Sequence, residues 1–106
     1  MTATGQLAIT VPHEAVAGFC RKWGIRRLSF FGSATRDDFD QARSDVDVLV
    51  EFRPERIPGW EYYHTIPNEL SAIIGWKVDM RTPRELSPVA LTRIREDLLE
   101  EYVEGG

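Results

Sequence analysis

Along the first third of the chain the spacing of apolar positions changes once, and the change separates two elements. Val16, Phe19, Cys20 and Trp23 recur at i, i+3, i+4 and i+7, the stripe of an amphipathic helix. Pro12 suits its first turn, Arg21 and Lys22 complement the negative end of the helix dipole, and Gly24 can take the left-handed conformation that closes it. The following run, 25–31 (IRRLSFF), is short, apolar and aromatic and stops at Gly32-Ser33, which predicts a buried strand entering a turn. Residues 34–44 are polar and predict a short helical turn and a loop. Period two then takes over at 45–52 (DVDVLVEF). Val46, Val48 and Val50 point to one face; Asp45, Asp47, Leu49 and Glu51 point to the other.

Residues 53–59 (RPERIPG) read as a loop, after which Trp60, Tyr63, Ile66 or Pro67, Leu70, Ile73 and Ile74 follow helical spacing as far as Gly75. A proline inside a helix costs about 3 kcal/mol, so Pro67 predicts a bend and a fresh helix start capped by Thr65 or Ile66. Residues 76–80 (WKVDM) predict a third strand with Asp79 opposite its neighbours Val78 and Met80. Thr82-Pro83-Arg84-Glu85 has capping-box spacing, and Ser87-Pro88 repeats the start signal. Leu91, Ile94, Leu98 and Tyr102 continue as a helical stripe that predicts one last helix running to the end. The order is helix, strand, turn, strand, helix, strand, helix: a small α/β (α+β) domain over residues 1–106, with 1–10 as a loose start or a short edge strand.

A length of 106 residues fits one domain. Thirteen Lys+Arg against seventeen Asp+Glu give a net charge of −4, a poor match to a surface that coats nucleic acid. A single cysteine, Cys20, excludes an internal disulfide and a Cys-rich zinc site. No apolar run approaches the ~20 residues that span a bilayer, and nothing resembles a signal peptide, so a cytoplasmic protein without membrane or direct nucleic-acid partners is expected.

Three features carry candidate chemistry. Gly32-Ser33 follows a strand, where glycine permits close approach of a ligand and a helix start would aim N–H groups at a phosphate. Asp45 and Asp47 share a strand face, within reach of one hard cation. Asp79 sits on another strand; beside the first two it would crowd three like charges, each pair repelling by about 4 kcal/mol at ~4 Å and an effective dielectric of 20. Taken singly, these are a chain reversal, a solvent-facing strand end and a surface acid.

In combination, the run FFGSATRDDFDQARSDVDVLVEF with the later GWKVDM resembles the nucleotidyltransferase superfamily that shares the DNA polymerase β palm. Its minimal branch, the MntA-like antitoxins encoded beside HEPN-domain toxins, is the branch these motifs most resemble, and the resemblance covers nearly the whole chain. It implies a small mixed sheet flanked by helices. It implies that Gly32 and Ser33 bind the nucleotide triphosphate with Arg36 near the phosphates, that Asp45 and Asp47 ligate two Mg²⁺ ions, and that Asp79 completes the metal site and acts as base. The implied reaction is AMP transfer from ATP to a hydroxyl, a tyrosine, of a HEPN-type ribonuclease toxin. One departure stands out: eleven residues separate Ser33 from Asp45, one more than is usual in the family, and Gln41-Ala42-Arg43 replace a common proline. The alternatives are a catalytically weak antitoxin that masks its toxin by binding, and a metal-stabilised domain that binds no nucleotide.

The remaining residues read as framework. His13 and His64 are surface or packing residues, and Cys20 is an inert buried thiol. Trp23, Trp60 and Trp76 are core or interface aromatics, with Trp60 and Tyr63 a minority candidate surface for a partner or an adenine ring. Glu96, Asp97, Glu100, Glu101 and Glu104 read as a solvated helix face or a contact for a basic partner. Arg26, Arg27, Arg36 and Arg43 flank the proposed site in sequence.

Overall fold

The computed structural model describes residues 10–32 and 45–104. The first helix, α1, is His13–Trp23, with Pro12 in extended backbone at its N-cap and Gly24 closing it at φ 72°. Burial of Val16, Phe19 and Cys20 follows the expected stripe. The strand β1 is Ile25–Phe31 and β2 is Val46–Phe52, both as the pattern predicts. Helix α2 is Thr65–Ile74, preceded by a 3-10 turn at Trp60–Tyr63. Pro67 therefore falls in the first turn of α2, where its missing N–H would have had no intrahelical acceptor. Ile66, Leu70 and Ile74 face inward at intervals of four. Then follow β3, Val78–Arg81, a 3-10 turn at Pro83–Glu85, and α3, Pro88–Asp97, whose N-cap Ser87 accepts from the Ala90 N–H at 3.1 Å.

The chain does not end in one long helix. Leu98 turns to extended backbone and β4, Leu99–Val103, pairs antiparallel with β1. The helical stripe misled because Tyr102 also serves a strand: it stands opposite Leu28 and packs against the core. β1 carries the buried Leu28 and Phe30 and would otherwise present an unpaired backbone edge, which β4 satisfies. The carboxylates of this segment are accordingly not one solvated helix face. Glu100 pairs with Arg27 at 3.4 Å, Glu101 with His13, and Glu104 with Arg53.

The sheet order is β3-β2-β1-β4, antiparallel except for the parallel β2–β3 pair, so the sheet is mixed. Val46, Val48 and Val50 form a fully buried row with Leu28, Phe30, Ile66, Leu70 and α1's Phe19 and Cys20. α1 and α2 are further joined by Lys22 and Trp23, whose Nζ and Nε1 donate to Glu69 Oε1 at 3.0 and 3.2 Å. Burial pushes the Cys20 thiol up to about 12, in line with an inert core residue. Trp60 is the exception among the aromatics: it is 87% exposed and Tyr63 72%, so neither belongs to the core stripe their spacing suggested. Among the described residues no helix is long and apolar enough to cross a membrane.

Candidate active site

Two strands deliver the acids. The parallel register aligns Asp47 with Asp79, and aligned residues on neighbouring strands project to the same face about 4.8 Å apart along the sheet. Asp45, two residues before Asp47, lies one pleat back towards the mouth. All three acids are half-buried, with Asp45 and Asp47 on the face of the sheet opposite the valine row. The strand starts are held from behind: Val46 N–H donates to Lys77 O at 2.8 Å, and Val78 N–H donates to Ser71 Oγ of α2 at 3.0 Å. These bonds fix the register and hence the lateral placing of Asp47 against Asp79.

The end of β1 completes the arrangement. Phe31 is opposite Asp47, and Gly32 follows at φ 75°. A Cβ at Gly32 would overlap Asp47 Oδ2 and stand 3.1 Å from its Cγ. Glycine is needed here twice over, for the left-handed backbone and for the carboxylate lying against its Cα. Ser33 and Arg36, with Arg43, lie outside the described residues.

Asp79 has a partner that the sequence analysis missed. Arg81 Nε lies 3.2 Å from Asp79 Oδ1, and Nη2 donates to Oδ2 at 3.5 Å. Spacing of two along β3 puts the cation on the same face as the acid, the rule that had paired Asp45 with Asp47. The Asp79 charge pushes the Arg81 guanidinium further up from its ordinary value. Behind β3, Tyr62 Oη donates to Met80 O at 3.2 Å and to the Glu85 carboxylate, which also accepts from the Thr82 N–H at 2.9 Å. Burial and Glu85 together push the Tyr62 hydroxyl well up. Arg26 and Arg27 do not flank this site. They lie at the start of β1, roughly 16 Å away at about 3.3 Å per residue, where they line a cleft with Arg53 and Glu104.

Among the described residues no group of three or more His, Cys, Asp or Glu side chains is gathered to hold a metal ion. Mg²⁺ rarely needs such a cage: it takes one or two carboxylates and fills its octahedron with water and phosphate oxygens. Paired aspartates at one mouth fit that habit, and the third acid is engaged by Arg81. The arrangement can hold a hard cation beside a phosphorylated ligand, with Gly32 giving the ligand close access to the backbone.

Comparison with known proteins agrees with that chemistry. The profile of the nucleotidyltransferase domain family matches residues 13–104. The protein adenylyltransferase MntA of Thermococcus cleftensis is 36% identical over 76 residues, 71% of this chain and 74% of that protein. A Methanocaldococcus jannaschii relative is 32% identical over 79 residues, 74% of this chain and 78% of its own. Among solved structures, a toxin–antitoxin with AMP-PNP superposes with a TM-score of 0.70 at 14% identity, covering 90% of this chain and 76% of that one. The complex of tri-AMPylated Shewanella oneidensis HEPN toxin with MNT antitoxin gives 0.61 at 14% identity, covering 86% and 69%. At such identities the two superpositions bear on the fold alone.

Proposed function

The chain belongs to the nucleotidyltransferase domain family, and from that premise we propose that it transfers AMP from ATP, with Mg²⁺, to a tyrosine hydroxyl of a HEPN-type ribonuclease toxin and so acts as its antitoxin. The observation that carries the reading is the alignment of Asp47 with Asp79, with Gly32 closed against the Asp47 carboxylate. In this reading Asp45 and Asp47 hold the metal, Asp79 joins them and takes the acceptor's proton, and Gly32, Ser33 and Arg36 hold the triphosphate. The relative named as a protein adenylyltransferase supports the reaction class. The neighbouring complexes with AMP-PNP and with a HEPN toxin support the nucleotide and the partner.

In the reaction the acceptor hydroxyl forms a bond to the α-phosphorus as the bond to the departing pyrophosphate breaks. The hydroxyl proton passes to the Asp79 carboxylate and on to solvent. Mg²⁺ held by Asp45 and Asp47 would supply neutralisation of the charge that develops in this step. The chain's own share is placement: the β2–β3 register fixes the acids, and the Gly32 turn lets the triphosphate lie close to the sheet end.

Masking without transfer is the second reading. It is favoured by the exposed Trp60, Tyr63 and Ile57, apolar surface that the core does not use. Label transfer from ATP labelled at the α- or at the γ-phosphate, with Mg²⁺ and the product of the neighbouring gene, separates the two. Label on the partner from the α position only, and none with Asp45→Asn, is the expected result. A stable complex without label from either position would favour masking.

A further inference from the structure

A carboxylate that is to meet a metal ion and accept a proton cannot at the same time stay forked to a guanidinium. Yet Asp79 is held in that way: both its oxygens face Arg81, at 3.2 and 3.5 Å, from the same strand and the same face. Arg81 is always charged, so proton transfer will not loosen the pair. Competition will, because the pair is only partly shielded, with Asp79 38% and Arg81 48% exposed.

We propose that Arg81 is a positioning residue that holds the Asp79 carboxylate in the nucleotide-free chain and gives it up when Mg²⁺ and nucleotide bind at the starts of β2 and β3. This rests on the nucleotidyltransferase reading of the acids. The latch keeps Asp79 facing the mouth and offsets the like charge of Asp47 beside it, and it sets a threshold that a bare ion meets less readily than an ion carrying phosphates.

The test is calorimetric titration of the full chain with Mg²⁺ alone, and with Mg²⁺ plus an ATP analogue bearing a methylene between the α- and β-phosphates. Wild type, Arg81→Gln, Asp79→Asn and the double variant are compared, with Arg84→Gln as the control for removal of a nearby charge. Arg81→Gln is expected to tighten binding of Mg²⁺ alone about two- to fivefold, the scale of an exposed ion pair. In the Asp79→Asn background the same change is expected to have no effect. An equal effect in that background, or one matched by Arg84→Gln, overturns the latch while leaving the acids' assignment intact. A second readout needs no metal: the Arg81 Nε–H resonance should stand apart in wild type, collapse with Asp79→Asn, and shift when Mg²⁺ and the analogue bind. A resonance that ignores the analogue while calorimetry records its binding also overturns the proposal. Failure of wild type to bind Mg²⁺ or nucleotide at all overturns the reading of the acids, and the latch with it.

Discussion

The two ends of the sheet are built from the same strands and put them to different use. At one end β1 stops at Gly32 and β2 and β3 begin, so the Asp47 carboxylate lies against a bare glycine with Asp79 aligned on the next strand. At the other, β1 begins and β2 ends, and charges are paired across strands: Arg53 with Glu104, Arg27 with Glu100. The far end resolves its charges internally, with cation and anion on separate elements holding those elements together. At the acid end like charges are stacked on neighbouring strands, and Arg81 pairs with Asp79 on its own strand. Like charge gathered on a rigid frame favours a charged ligand, and salt-bridged surface is what a fold tolerates anywhere.

The sharpest way to break this contrast is Asp47→Asn. AMP transfer should fall by at least about 100-fold, the scale on which a fixed electrostatic group acts, with the melting temperature little changed because the side chain is half-exposed. Transfer at the wild-type rate would mean that the chemistry lies elsewhere. Gly32→Ala should follow, losing both function and stability. A left-handed non-glycine residue costs about 1–3 kcal/mol even before the Asp47 carboxylate is displaced, and in a domain of this size each kcal/mol lowers the melting point by roughly 4–8 °C. Thermal melts beside transfer assays would check it, and an unaltered melting point would refute the close packing of Gly32 on Asp47.

The core that both ends share can be followed through Cys20. Its thiol is raised in the folded chain from 9.0 to about 12, so the native state keeps a proton that the unfolded chain gives up. That contribution to stability is whole below pH 9 and is lost as pH rises towards 12. Denaturant midpoints should decline over this window in wild type and decline less in Cys20→Ala. The smallest effect belongs to the far end. Arg53→Ala should leave transfer unchanged and cost no more than about 1 kcal/mol, since the pair with Glu104 is partly exposed.

The sequence revealed the parts of the molecule that depend on local period. β1 falls at 25–31 as read, the valine row of β2 is buried, and α1 closes at Gly24. Pairing was less legible because it depends on partners far along the chain. The stripe through Leu98 and Tyr102 satisfies helical spacing, and only the open edge of β1 turns that segment into a strand. Trp60 and Tyr63 keep helical spacing with Leu70 but precede α2 in a 3-10 turn, which rotates them away from the core. Within the site, the acids were legible as residues but their register was not, since nothing in 45–52 or 76–80 states which rungs align. Arg81 was legible in principle through its spacing from Asp79. Ser33 and Arg36 lie outside the described residues, so their place in the site is an expectation from the sequence.

β1 is paired on one side to a strand that begins 15 residues after it ends and on the other to one that begins 68 residues after it ends. During synthesis the strand that carries Gly32 into the site therefore has one neighbour early and the other only after residue 103 has left the ribosome. Folding of this domain is bound to close late, because the costly long loop must be shut before the central strand is covered on both edges. Until then the chain is a half-built sheet, open to proteases.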